Sequence, residues 1–393
     1  MPVDDKKKNQ SDIANSLTIV LALKDRVPFT IRWMHYANSM HFPFKILIAD
    51  GGTDERVPEI FSKKLNFPNL SYEYIRYPFD QTYTHFYTKL ADALAHVETP
   101  FAVMADNDDF FVVDGLLRSV EFLRNHPDYS SCRGIIAGVR IRPNTKYGEF
   151  SYAYGDKKDI SFAKMIYMPG STLNDTASER VKDQFSCYRT NWYDVFRIEQ
   201  LRENYRILRD LDTKDLILAQ NIPMLLGYVV GKVYRGNFYY LVRQWDGPGS
   251  SDKTENREKG DHFDRMLLET WSADFKAFAN AIASAISQKD GIPFDDAYRI
   301  VKKSYREFMA PAIIDCLSAQ RQLSIASSLS RGIIEKLGTT GYLLRRQYLF
   351  IKRVITDQPK LLRFIPGHRL AASDNGIKLI YDFLTTPFES INK

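Results

Sequence analysis

The chain has 393 residues, of which 44% are hydrophobic and 26% charged, proportions that exclude an intrinsically disordered protein. A formal net charge of +6 admits an anionic ligand such as a nucleotide, but no nucleic-acid-binding module is visible and the basic run Lys6-Lys7-Lys8 sits in a polar tail. Cys132, Cys187 and Cys316 show no Cys-X-X-Cys spacing, which argues against a zinc site or a disulfide framework and predicts free thiols in a reducing, cytoplasmic setting. No run of ~18 apolar residues occurs, so the chain is expected to touch the inner face of a membrane at most.

Residues 1–15 are polar and read as a disordered leader. Leu17 to Leu23 is a near-continuous apolar run, as in a buried parallel strand, and Lys24-Asp25-Arg26 breaks it. After Pro28, apolar Ile31, Met34, Ala37 and Met40 recur at helical spacing. Lys45 to Ala49 is a second apolar run, ending in Asp50-Gly51-Gly52-Thr53-Asp54-Glu55. Strand, helix and strand form a βαβ unit, which gathers its loops on one sheet edge. Leu70 to Tyr77 alternates weakly as a third strand, and Tyr87 to Val97 is an amphipathic helix.

Phe101 to Ala105 is then a short apolar strand that stops at Asp106-Asn107-Asp108-Asp109. The carboxyl edge of a parallel sheet is where ligands bind, so acids have a use there that scattered surface acids lack. Asp106 and Asp108, two residues apart, can both offer oxygen to one hard cation such as Mg²⁺ or Mn²⁺. The competing account is an acidic loop that is merely solvated, and the tripeptide alone does not separate the two.

Leu17–Arg26, then Ile46 to Asp54, then a helix, then Ala102–Asp109, in that order and spacing, resembles the nucleotide-sugar half of the family 2 glycosyltransferases with the GT-A fold. The family's second strand ends in an Asp-Asp-Gly-Ser-Thr-Asp-like turn; here Ala49 replaces the first Asp and Gly52 the Ser. The resemblance covers residues 17–115, and more faintly extends to 245. It implies a Rossmann-like, mostly parallel α/β sheet flanked by helices. It also implies that Asp25 and Asp50 hold the nucleotide, with Asp50 on the base, and that Asp106 and Asp108 form the site for metal and diphosphate. A turn residue preceding two glycines remains the alternative role for Asp50.

Further along, Gly115 to Arg124 reads as a helix and Gly134 to Ile141 as a strand. Residues 144–183 lack a clear period, and so long a loop suggests an acceptor site or lid. Trp192, among the aromatics of Gln184 to Tyr193, is a candidate acceptor contact, although a packed strand edge would look the same. Phe196 to Leu208 is an amphipathic helix. Tyr239 to Trp245 closes the catalytic part, with Arg243 placed to bind diphosphate and Trp245 to stack on acceptor sugar, before a polar, lid-like loop.

Inverting transfer needs a group to take the proton of the attacking hydroxyl. In the family this is the Asp of a Glu-Asp pair at a helix start, before a Gly that precedes a further strand. Asp215 opens Leu216-Ile217-Leu218-Ala219, with Gly227 to Gly231 behind it, but Lys214 stands where the Glu belongs. Asp212 and Asp210 therefore stay open as the base, as do Glu179 and Asp183 of the long loop. Acids at a helix start also favour the helix dipole with no catalytic role.

From His262 the pattern turns helical, which predicts residues 1–15 as leader, 16–250 as a GT-A-like domain and 251–393 as an α-helical domain. Tyr342 to Arg353 is basic and apolar together, and fits packing within its own domain, a peripheral membrane contact or a homo-oligomer interface. The resemblance implies a metal-dependent, inverting enzyme that moves sugar from a nucleotide-diphosphate donor to a saccharide or lipid-linked saccharide in bacterial surface glycan synthesis. A phosphohydrolase of the haloacid dehalogenase type also carries Asp-X-Asp after a strand, but on its first one. A sugar nucleotidyltransferase would show a glycine-rich basic loop after its first strand, where Lys24-Asp25-Arg26-Val27-Pro28 has no glycine. A catalytically degenerate glycan-binding or scaffold protein is the non-enzyme alternative.

Overall fold

The computed structural model describes residues 10–63, 66–164, 170–188, 190–244, 258–314, 316–317, 363–366 and 374–386. Trp245, the polar loop behind it and the basic-apolar stretch 342–353 lie outside the described residues, as do residues 1–9 of the leader. Residues 10–14 form a helical turn, because Ile13 and Ala14 are apolar and bury against the sheet.

The three apolar runs are the parallel strands β1 (Leu17–Leu23), β2 (Lys45–Asp50) and β4 (Phe101–Ala105). With β3 (Ser71–Arg76) they lie in the order β3-β2-β1-β4. The helices α1 (Val27–Ser39), α2 (Arg56–Ser62) and α3 (Tyr83–Ala95) connect them. The order of strands across the sheet therefore reverses between β1 and β4, the point in open α/β sheets at which the loops beyond the carboxyl ends part to form a ligand crevice.

Beyond β4 the sheet becomes mixed. The short β8 (Val195–Arg197) pairs antiparallel with β4 and with β6 (Tyr129–Ile141). β6 also pairs antiparallel with β7 (Ile160–Lys164) and parallel with β9 (Lys232–Gln244), whose end holds β5 (Phe110–Phe111) antiparallel. The class is the α/β arrangement expected, with its parallel part confined to the first four strands and the β6/β9 pair. Residues 144–183, which showed no period, contain β7 and the start of α5 (Ala177–Ser186), both too short to give one.

One core lies under α1, α4 (Val113–Asn125) and α10 (Asn375–Thr385); the other packs α3, α5, α6 (Ile198–Leu211), α7 (Leu216–Val230) and α9 (Glu269–Asp290) on the opposite face. α7 runs through Gly227 to Val230, so the strand expected there begins later, at Lys232 after Gly231. The helical carboxy-terminal pattern is present in α8 (His262–Met266), α9 and residues 294–314. Two pieces of this region return to the sheet. β10 (Arg363–Pro366) pairs with β7, and α10 sets Phe383 against Tyr36 and Phe110. Among the described residues no helix is long and apolar enough to cross a membrane.

Gly51 shows what the β2 turn requires. A Cβ there would lie 2.4 Å from the carboxyl carbon of Asp80, which is itself buried and paired with Lys89. Gly51→Ala should therefore cost about 1–3 kcal/mol by overpacking, whereas Gly170→Ala, which meets nothing within 4 Å, should be near neutral. Chemical denaturation of the two variants measures the difference.

Candidate active site at the β1/β4 crevice

β4 stops at Ala105, and the turn that follows returns the chain into β5 two residues after Asp108. The turn is pinned from three sides. Asn107 donates to the Thr30 hydroxyl of α1 at 3.0 Å. The carbonyl of Asp108 accepts from Arg32 at 3.1 Å. Buried Asp109 accepts from the backbone N–H of Gln244 at 3.0 Å and from Arg243 Nε at 3.3 Å. Carboxylate oxygens of Asp106, Asp108 and Asp109 consequently lie within 4.8 Å of one another, a set of hard donors that fits Mg²⁺ or Mn²⁺.

Asp106 accepts from the Tyr193 phenol at 2.6 Å, and Asp108 pairs with Arg26 at 2.9 Å across the crevice. Arg26 can reach because Asp25 and Arg26 both take the left-handed conformation, at φ 56° and 58°. That geometry costs roughly 1–2 kcal/mol per residue. Asp25 offsets it by accepting from Thr53 N–H at 2.7 Å and from the Thr53 hydroxyl and Asp54 N–H, which locks the β1 and β2 loops together. Asp25 thus lines the crevice while its Oδ1 organises the loop.

Asp50 is placed differently. It is 1% exposed, its Oδ1 accepts from Gly52 N–H at 2.9 Å and its Oδ2 from Tyr74 O–H at 2.7 Å. A contact to a base would have to use the remaining lone pairs of these buried oxygens. Close by, Lys89 and Asp80 form a buried ion pair, with Lys89 also donating to the Leu23 carbonyl at 2.8 Å. Burial lowers the Lys89 pKa and raises that of Asp80, each partly opposed by the partner. Sequence reasoning missed this pair. A Lys at the centre of the apolar stripe of α3 was the available signal.

Arg243 is half-exposed, stands 4.7 Å over the Tyr193 ring and joins the acidic turn through Asp109. Trp192 is half-buried and stacks on Phe86 at 6.3 Å, with its edge on Tyr205, at the opening of α3. From the same helix Thr84 donates to Asp212 at 2.6 Å.

Asp215 caps α7 through Leu218 N–H at 3.0 Å and is 5% exposed. Arg265 of α8 grips both its oxygens, at 2.8–3.0 Å, while Asp274 of α9 accepts the backbone N–H groups of Lys214 and Asp215. Asp212 is left-handed at φ 48°, half-exposed, and pairs with Lys214 at 2.6 Å. Asp210 faces outward to Arg206 and Arg209. On α5 Glu179 meets Thr176, and Asp183 meets Thr172. The structure therefore brings Asp25, Asp106, Asp108 and Arg243 to one crevice and turns the Asp50 carboxylate inward. Arg265 and Asp274 had no sequence signal for this role, because their partner Asp215 lies 50 and 59 residues away in the chain.

The sheet order and the acidic turn after β4 are those of a GT-A-like fold. No family model matches the chain, and no curated protein matches it. Among solved structures the chain is similar to S. aureus TarS: residues 1–349 superpose with TM-score 0.40 at 12% identity, over 75% of this chain and 90% of that one. The complexes of the same TarS fragment with UDP and with UDP-GlcNAc give TM-scores of 0.41 and 0.39 at 14% identity, with the same coverage.

Burial raises the pKa of Asp106, reinforced by the negative charge of Asp108. It pushes Asp109 up to about 7, against the pull of Arg243. The Asp109 carboxyl therefore holds its proton at mildly acid pH, and a cation binding there would have to displace it. Mn²⁺ affinity should therefore tighten, with proton release, as pH rises from 6 to 8. Mn²⁺ titrations followed by electron paramagnetic resonance at the two pH values test this.

Proposed function

We propose that the chain is a nucleotide-sugar-dependent glycosyltransferase that passes sugar from a nucleotide diphosphate to a saccharide hydroxyl with inversion. The observation that supports it most is the convergence of Asp106, Asp108 and Asp109 at the end of β4, opposite the Asp25-Arg26 turn at the point where strand order reverses. Asp106 and Asp108 would hold Mn²⁺ or Mg²⁺, and a bound ion would neutralise charge developing on the departing diphosphate. Arg26 and Arg243 supply fixed positive charge on either side of the acids, suited to an anionic donor. Asp25 holds the β1 and β2 loops in the shape that receives the nucleoside.

Asp215 is our choice for the proton acceptor because it opens a helix where the resemblance places the family's catalytic Asp; Arg265 holds its carboxylate and would have to release it for a proton to be taken. Asp212, half-exposed beside Thr84, supports a second assignment. The acceptor side of the crevice is bordered by Trp192.

The donor reading is tested by thermal stabilisation with nucleotide sugars, UDP-GlcNAc among them, with and without Mn²⁺. A shift that grows with Mn²⁺ and vanishes in Asp108→Ala is expected; a folded protein that no donor stabilises would overturn the transferase. For the base, Asp215→Asn should keep the donor-induced shift while turnover falls by at least 10²-fold, the usual range for a lost general base. It should also lower stability, because Arg265 loses its charged partner. Asp212→Asn should leave stability within about 0.5 kcal/mol. Collapse of turnover in that variant alone would move the role to Asp212.

A further inference from the structure

Tyr193, one of several aromatics clustered in its stretch of sequence, is the residue on which the acidic turn leans. Its ring is 3% exposed and its hydroxyl donates to Oδ2 of Asp106 at 2.6 Å. Among the described residues no protein donor reaches the other oxygen of Asp106. The backbone of Tyr193 is held as firmly, its carbonyl accepting from the Tyr240 hydroxyl at 2.7 Å. The next residue, Asp194, is fully buried and clamped by Ser131 at 2.7 Å, Arg235 at 2.7 Å and Arg133 at 3.0 Å. On the outer face of the ring sits the guanidinium of Arg243. A phenol fixed on so many sides cannot follow a carboxylate that rotates, so the carboxylate must conform to the phenol.

We propose that Tyr193 is a positioning residue for the cation: its hydroxyl occupies one oxygen of Asp106 and thereby sets which oxygen, and in which direction, is presented to the metal between the three acids. The proposal rests on the cation reading given under the proposed function. A hydrogen bond from O–H to a carboxylate is charge-assisted and strong, and partners of this kind around metal ligands typically change affinity 10–100-fold when removed. Because the same ring carries Arg243, one side chain sets the relation between the cation position and the arginine beside it.

The test uses the full chain and Mn²⁺ alone, with free ion followed by electron paramagnetic resonance. Tyr193→Phe keeps the ring, its packing and the stacked Arg243, and removes only the hydroxyl. Its dissociation constant for Mn²⁺ should rise at least 10-fold. Thr18→Val, which deletes a buried hydroxyl bond to Thr99 at the opposite end of β1, should lose stability and leave Mn²⁺ affinity unchanged. If the wild type binds Mn²⁺ and Tyr193→Phe binds it equally well, the hydroxyl serves only to satisfy a buried polar group and the proposal is overturned. A wild type that does not bind Mn²⁺ overturns the cation reading itself. Should Tyr193→Phe not fold, Tyr240→Phe carries the same test, because it frees the Tyr193 backbone while sparing the contact with Asp106: weaker Mn²⁺ binding supports the positioning role, and unchanged binding defeats it.

Discussion

Three carboxylates converge at the end of one strand, and their mutual repulsion is the constraint around which the rest of the crevice is built. At the 4.8 Å that bounds their separation, each ionised pair would repel by about 3 kcal/mol at an effective dielectric of ~20. The protein answers with cations from three directions: Arg26 from the β1 loop, Arg32 from α1 and Arg243 from β9. Arg32 is the most costly of these. It is fully buried, and burial lowers its pKa to about 10. Its two terminal nitrogens donate to the Ala153 carbonyl, the Gln244 side chain and the Asp108 carbonyl, which ties the acidic turn to both the long loop and β9.

The same device recurs deeper in the molecule. Asp194 sits between Arg133 and Arg235, and Asp215 lies in the grip of Arg265. Such pairs add little stability compared with apolar packing, but losing one partner strands a buried charge. Their value here is directional. Each fixes an element that a hydrophobic contact would leave free to slide: the turn carrying Tyr193 in the first case, the start of α7 in the second.

The first half of the fold was legible because buried parallel strands are continuous apolar runs, and β1, β2 and β4 announce themselves as such. The acids after β4 were legible for the same reason, since a strand that ends in carboxylates has only one edge on which to put them. Asp50 was harder. Its position before two glycines is the same whether the carboxylate faces a ligand or, as here, folds under the turn to Gly52 and Tyr74. Arg265, Asp274 and Tyr193 act on residues far away in sequence, so no local spacing records them. β10 escaped notice because four residues ending in proline carry no alternation to detect. The helical period of the carboxy-terminal region was real, yet periodicity does not say against which core a helix packs.

α10, built from residues 375–385, covers the core beside α1, where Phe383 lies 5.4 Å from Tyr36 and Gly376 fits closely against Val112. A ribosome makes α1 and β4 well before α10. Until α10 has been made, the part of Tyr36 and Phe110 that Phe383 covers stays exposed on the nascent sheet. β10 and α10 therefore tie residues 363–385 to elements formed from much earlier parts of the chain, contacts of high sequence separation that are slow to form.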